Sequence, residues 1–244
     1  MLKAILFDLD GTLLPMDQDT FVNAYFTEIL KKFVPLGYDG KKLTKNLWEG
    51  TKAMIENDGK KTNEEVFWDL FKKDYKDLDN EKKLFDSFYE NEFNEVKKSC
   101  GYDPEAKFAI KEIKNMGLRT ILATNPVFPR VCTYNRLSWT GLNNEDFEYI
   151  STYENSRFCK PNPLYFQEII EKLGLKPEEC LMVGNDCNED YSATKINIPF
   201  FLITRNIINK TNIDISTIPH GTFFDLLNYL NEIRSVSYTH LRAH

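Results

Sequence analysis

Residues 3–14 read KAILFDLDGTLL. Four apolar residues, Ala4 to Phe7, lead without a polar break into two carboxylates, Asp8 and Asp10, and then into Gly11-Thr12. An unbroken apolar run of this kind marks a strand buried on both faces, as in the middle of a parallel sheet. The two acids would then stand at the strand's carboxyl end. They are either the polar turn after a buried strand or the holders of something cationic beside something reactive. Along a strand, residues i and i+2 point the same way, so Asp8 and Asp10 can share one side. Two like charges about 4–5 Å apart repel by roughly 3–4 kcal/mol at an effective dielectric near 20. Nothing basic adjoins them in sequence, which makes them costly decoration.

Working outward, the next eighty residues carry no convincing strand. From Asp17 to about Ser99 four helical patterns follow one another: TFVNAYFTEILKKFV, KKLTKNLWEGTKAMIEN, NEEVFWDLFKKDY and EKKLFDSFYENEFNEVKK. Apolar residues recur three and four apart with Lys and Glu between them, so Phe67, Leu70 and Phe71, like Leu84, Phe88 and Phe93, form buried stripes. These aromatics read as packing between helices. After Gly101-Tyr102-Asp103-Pro104 the style changes. Helix 105–116 stops at Gly117, and then strand 118–124, helix 129–139, strand 148–152, helix 162–173, strand 179–184, helix 188–195, strand 198–204 and helix 223–233 alternate. Alternation of this kind gives βαβ units. The expected fold is therefore α/β, a doubly wound, Rossmann-like parallel sheet with an all-helical insertion after its first strand. Residues 1–15 and 103–234 form the core and 16–102 the insertion, with turn-forming Pro15-Met16-Asp17 and Gly101–Pro104 as hinges. Residues 235–244, SVSYTHLRAH, carry no apolar period and read as a non-native adaptor tail.

The bulk numbers fit that architecture. In 244 residues, 42% hydrophobic and 14% aromatic, a sizeable core can be buried. Lys and Arg number 31 against 37 Asp and Glu, a formal charge of -6, which argues against a nucleic-acid partner. A locally positive pocket for a small anion is compatible with that balance. The five cysteines form no CxxC pair, so neither a disulfide framework nor a zinc site is expected. The N-terminal MLKAILFD has no secretory h-region and no uncharged stretch would cross a bilayer, so a cytoplasmic protein with no membrane partner is expected.

In doubly wound sheets, ligands bind beyond the carboxyl ends of the strands. The first strand delivers Asp8 and Asp10 there, the strand at 118–124 delivers Thr124-Asn125, and the strand at 179–184 delivers Asn185-Asp186, with Asp190 four residues on. Lys160 lies in the loop Phe158-Cys159-Lys160-Pro161-Asn162-Pro163. Each has a bland reading by itself: Thr124 as a β-branched strand residue, Lys160 as a solvated lysine, Asp186 as a helix N-cap. Their common placement at one sheet edge outweighs those readings. An oxygen-rich cluster of acids calls for protonation or a hard cation such as Mg²⁺.

These stretches, ILFDLDGTLL, ILATN, CKPNPLYF and MVGNDCNED, resemble in order the four motifs of the haloacid dehalogenase superfamily of hydrolases. Asn185 between Gly184 and Asp186 departs slightly from the usual Gly-Asp. The helical insertion resembles the cap of the subgroup with α-helical caps. The resemblance implies a Mg²⁺-dependent phosphohydrolase acting on a small phosphorylated substrate through an aspartyl-phosphate. In it Asp8 would be the nucleophile and Asp10 the acid and base. Thr124, the Asn125 backbone and Lys160 would hold the phosphoryl group. Asp8, the Asp10 carbonyl and Asp186 would bind the metal, with Asp190 as a further ligand or behind them. A phosphotransferase or mutase shares every motif. A metal-independent dehalogenase would need neither Asp10 nor the Asp186–Asp190 pair, and a binding module would be expected to have lost an acid or Lys160.

Overall fold

The computed structural model describes residues 1–75 and 77–241, with residues 236–241 as backbone only. Six strands, β1 (Ala4–Phe7), β2 (Arg119–Leu122), β3 (Tyr149–Ile150), β4 (Cys180–Gly184), β5 (Phe200–Ile203) and β6 (His220–Gly221), form one sheet in the order β3-β2-β1-β4-β5-β6. Every pairing is parallel. The chain builds outward from β1 on one side, then crosses at β4 to build the other, so strand order reverses between β1 and β4. All four residues of β1 are fully buried because both faces of the sheet are covered. Ile5 and Phe7 join the core under α5 (Pro104–Asn115) and α8 (Phe223–Leu241), whereas Ala4 and Leu6 pack with Tyr165 and Phe166 of α7 (Pro163–Lys172).

Between β1 and β2 stand α1 (Gln18–Phe33), α2 (Gly40–Ile55), α3 (Asn63–Phe71), α4 (Leu78–Glu90) and a 3-10 helix, Glu92–Ser99, before α5 begins. The first four start alike: Asp17, Asp39, Thr62 and Asp77 each accept from the amide three residues ahead, which satisfies one orphan donor of the first turn. Phe67, Phe71, Phe88 and Phe93 are buried as the spacing predicts. Leu70 and Leu84 are only half-buried, and Trp68 and Phe85 fill the core in their stead. The chain leaves and re-enters the sheet domain side by side, with Met16 bridging Cys100 antiparallel and the Gly101 amide donating to the Pro15 carbonyl at 2.7 Å.

Several boundaries differ from the sequence expectation. The pattern over 81–98 breaks at Asn91, whose backbone (φ -116°, ψ -82°) leaves the helical region. The expected helix 188–195 is a 3-10 helix, Tyr191–Ile196, because the preceding residues turn tightly around the Asp190 carboxylate. The expected strand 118–124 is only Arg119–Leu122, and β6, two residues long, carried no pattern to betray it. Helix α8 continues past residue 233 through residues 235–241 of the segment read as a tail; residues 242–244 lie outside the described residues. All five cysteines are free. Among the described residues no helix is long and apolar enough to cross a membrane.

Candidate active site

Register gathers the site. Phe7 of β1 lies level with Leu122 of β2 and Val183 of β4, and the hydrogen bonds run one residue further, from Asp8 N to the Val183 carbonyl (2.9 Å) and from Ala123 N to the Phe7 carbonyl (2.7 Å). Asp8, Thr124 and Asn185-Asp186 therefore emerge together where strand order reverses, the place such sheets bind ligands. Because β1 ends at Phe7, Asp8 and Asp10 sit in the loop beyond the strand rather than in its pleat. Both still line the same cavity. Gly11 turns that loop with φ +85°, and a β-carbon there would lie 2.3 Å from Asn185 Nδ2. The Thr12 hydroxyl bridges Asp8 Oδ2 (3.1 Å) and Asn185 Oδ1 (2.9 Å), while Asn185 Nδ2 donates to the Asn206 carbonyl at 2.6 Å.

The charge repulsion expected of the acids is relieved by two cations brought from far along the chain. Lys160 is buried and donates through Nζ to Asp8 Oδ1 (2.8 Å) and Asp190 Oδ1 (2.6 Å). Burial alone would weaken its ammonium form, but Asp190 and Asp8 outweigh that and hold its pKa well above the ordinary lysine value. Asp190 is buried too, and its second oxygen accepts from the amides of Asn185 and Asp186, each at 3.0 Å. Burial pushes its carboxyl up, against the pull of the Lys160 ammonium. A β-carbon on Gly184 would fall 2.1 Å from Asp190 Oδ2, so only glycine leaves room for this carboxylate beneath the loop.

The second cation is Arg136 of α6 (Arg130–Trp139), which is fully buried and pairs with Asp10 Oδ2. Its guanidinium lies 4.6 Å from the Phe128 ring centroid. Burial raises the Asp10 pKa, Arg136 lowers it and the Asp8 charge raises it again, with a net upward result. Oδ1 of Asp10 has no hydrogen-bond partner. Sequence reading missed Arg136; Arg130, at the start of the same helix, is exposed and donates its backbone amide to Glu154 (2.8 Å). The signal lay in helical spacing, since Cys132, Thr133, Arg136 and Leu137 share the buried face of α6.

Thr124 lines the cavity and its carbonyl accepts from Ser151 Oγ (2.6 Å) and the Tyr165 hydroxyl (2.8 Å). The Asn125 side chain ties the Lys160 loop down, accepting from the Lys160 amide at 3.2 Å and donating to Glu189 Oε2 at 2.9 Å. Glu189, another residue the sequence reading passed over, is pushed up to about 7 by burial. Asp186 lines the cavity, and its Oδ1 accepts from the amides of Asn188 (2.7 Å) and Glu189 (2.9 Å), the capping role weighed for it as the bland alternative. Among the described residues no three acidic, cysteine or histidine side chains form a ready-made cation cage. What faces the cavity is a set of hard oxygens, the carboxylates of Asp8, Asp10 and Asp186, with Asp190 behind them and bonded to Lys160.

The cavity has a volume of about 280 Å³ and is closed over by α1–α4. The cover is fastened at the start of α3, where Asn63 donates from its backbone to the Ser156 carbonyl (2.8 Å) and from its amide group to the Pro126 carbonyl (3.1 Å). The roof so formed is aromatic and the floor is ionic.

A family model described as a haloacid dehalogenase-like hydrolase matches residues 2–195. The chain is 26% identical over 199 residues to a pyrophosphatase, PpaX, of Oceanobacillus iheyensis, covering 81% of each chain. It is 26% identical over 194 residues to a phosphoglycolate phosphatase of Aquifex aeolicus, covering 80% of each. Among solved structures, a HAD phosphatase from Thermococcus onnurineus superposes with a TM-score of 0.58 at 20% identity, over 94% of this chain and 98% of that one.

Proposed function

The chain belongs to the haloacid dehalogenase-like hydrolases, and we propose on that premise that it is a Mg²⁺-dependent phosphatase of small phosphate monoesters with Asp8 as nucleophile. The observation that carries the reading is the position of Asp8, at the sheet's switch point with one oxygen on the Lys160 ammonium and the other on the Thr12 hydroxyl. Its relatives' names, a pyrophosphatase and a phosphoglycolate phosphatase, point to phosphoryl chemistry as well.

An Asp8 oxygen would attack phosphorus, the bond to the leaving oxygen would break, and the alkoxide would take a proton from Asp10. Asp10, now ionised, would draw a proton from the water that attacks the phosphoryl group and frees Asp8. Arg136 is the group that holds Asp10 for both tasks, and the raised Asp10 pKa favours the protonated form the first step needs. Lys160 would offset the charge of nucleophile and phosphoryl group as they meet. The Thr124 side chain and the Asn125 backbone would hold the phosphoryl oxygens. Asp190 would position Lys160.

The oxygen donors fit Mg²⁺, which is commonly bound by one or two carboxylates with water completing its shell. Asp8, the Asp10 main-chain carbonyl and Asp186 would hold it, with Asp190 in the outer shell. When bound, Mg²⁺ neutralises phosphoryl charge and polarises the bond to be broken. The core at 1–15 and 103–234 would carry this chemistry, and the helical segment at 16–102 would act as its cap, closing over substrate and excluding bulk water.

The reading is tested with p-nitrophenyl phosphate. Asp8→Asn should lower kcat by about 10⁴-fold or more with the fold intact, and EDTA should stop the wild-type reaction until Mg²⁺ is restored. Substantial turnover by the variant removes Asp8 from the nucleophile's place; indifference to EDTA removes the metal.

A further inference from the structure

Above the ionic floor the cavity changes character. Its wall is made of side chains from α1 to α4, Phe21, Tyr25, Trp48, Phe67 and Trp68 among them. Among the described residues no lysine, arginine or histidine lines it. The two cations of the site are spent below, Lys160 on Asp8 and Asp190, and Arg136 on Asp10. The charged group the helices do contribute is an acid, Asp86 of α4.

The mouth repeats the theme. Along α2, Trp48, Thr51 and Ile55 fall at i, i+3 and i+7 and all line the cavity. Trp48 is 51% and Ile55 44% exposed, two large apolar groups left in solvent at the rim of one pocket. Trp48 is braced against Phe26, the ring centroids 5.3 Å apart.

We propose that the leaving group of the substrate is an apolar, preferably aromatic, alcohol, seated between Trp48 on α2 and the rings of α1 and α3, and that this pocket discriminates against substrates whose leaving group carries a second negative charge. This deepens the phosphatase reading and rests on it. A carboxylate or second phosphate would lose its water against aromatic rings, meet no lysine, arginine or histidine among the described lining residues and face Asp86, a burial that is costly without a partner. An apolar leaving group gains from the same surroundings, and rings meeting edge to face add to the area buried. The two relatives named above act, by their names, on pyrophosphate and phosphoglycolate, substrates whose leaving groups are anionic.

The test uses the Mg²⁺-loaded enzyme and a series of esters: methyl phosphate, benzyl phosphate, 2-phosphoglycolate and pyrophosphate. Benzyl phosphate should exceed 2-phosphoglycolate in kcat/KM by about 100-fold, since each pocket-filling group is worth on the order of 10-fold or more. Trp48→Ala should cut the benzyl-to-methyl ratio about 10-fold, and Thr51→Lys should shift preference toward 2-phosphoglycolate. Binding of benzylphosphonate and phosphonoacetate, followed by tryptophan fluorescence, reads the pocket without turnover. Tighter binding of benzylphosphonate with no ester hydrolysed would sink the phosphatase reading and leave the pocket assignment standing. Hydrolysis in which 2-phosphoglycolate or pyrophosphate equals benzyl phosphate overturns the assignment and leaves the phosphatase reading intact.

Discussion

At the carboxyl edge of the sheet, Asp8, Asp10, Asp190, Lys160 and Arg136 are held by bonds of fixed direction, while on the other side of the cavity α1–α4 present phenyl, phenol and indole rings packed edge to face or stacked. The floor depends on direction: an ammonium between two carboxylates and a carboxylate on two amides each have one good geometry, and their strength comes from being dry. The roof depends on volume and area, which several combinations of apolar side chains can supply. A chain can therefore change its roof and keep its chemistry, but it cannot slide a floor residue without losing the reaction. On the proposed reading, catalysis belongs to the sheet edge and selectivity to the helices.

The comparison breaks most sharply where one substitution on each side costs the same stability. Lys160→Met leaves Asp8 and Asp190 buried without their cation, and Phe88→Ala leaves a void in the helical core; each should cost about 3–5 kcal/mol. For a chain of this size that is a fall in Tm of roughly 6–20 °C by calorimetry. Only the lysine variant should lose kcat, and only its deficit should depend on pH. With the cation gone, burial holds the Asp190 carboxyl still further above its unfolded pKa of about 3.9, so the loss is greatest at neutral pH and recedes on acidification. A pH-independent deficit for Lys160→Met would contradict the ionic account of the floor.

The Asp10–Arg136 pair sharpens it next, because its members are unequally buried. The Arg136 side chain is fully buried, whereas about a third of the Asp10 side chain is exposed. Asp10→Ala strands a buried guanidinium and should cost about 3 kcal/mol or more in urea unfolding. Arg136→Met leaves a carboxylate whose Oδ1 is already unpartnered, on a side chain only partly buried, and should cost less. Arg136 draws the Asp10 pKa down, so its removal raises that pKa further and moves the Asp10 limb of the kcat–pH profile to higher pH. An unmoved limb would remove Arg136 from control of Asp10.

Smaller effects probe direction alone. Gly184→Ala should push Asp190 aside and lower kcat on the order of 100-fold, the cost of misplacing a site by about an ångström. Thr12→Val removes the hydroxyl between Asp8 and Asn185 and should cost about 1–2 kcal/mol in the same unfolding assay.

Much of the floor was legible because it is written in short stretches at strand ends. Asp8, Asp10, Thr124, Asn125 and Asp186 stand at or just past the ends of apolar runs, with Asp190 four residues beyond Asp186, and a parallel sheet carries the ends of such runs to one edge. Lys160 was legible through its loop's place beside the strand ends and through its motif, but not as a buried residue, since a lysine in a loop has no period to mark it as one. Arg136 was not legible in the motifs, because its partner lies 126 residues away in sequence and a helix face alone does not say what it meets. The same holds for the break at Asn91 and for β6, where local preference is weak and neighbours decide.

By itself, then, the sequence determined the alternation of strands and helices, the helical insertion and the identity of the acids, because apolar periodicity and turn chemistry are local properties of the chain. Only the tertiary structure decided which cation answers which acid, that Asp190 backs Lys160, and that the insertion turns a ring-lined wall, without lysine, arginine or histidine among its described residues, toward the site. Those are matters of contact between distant segments, and burial, which sets the strength of every one of those contacts, exists only once the chain is folded.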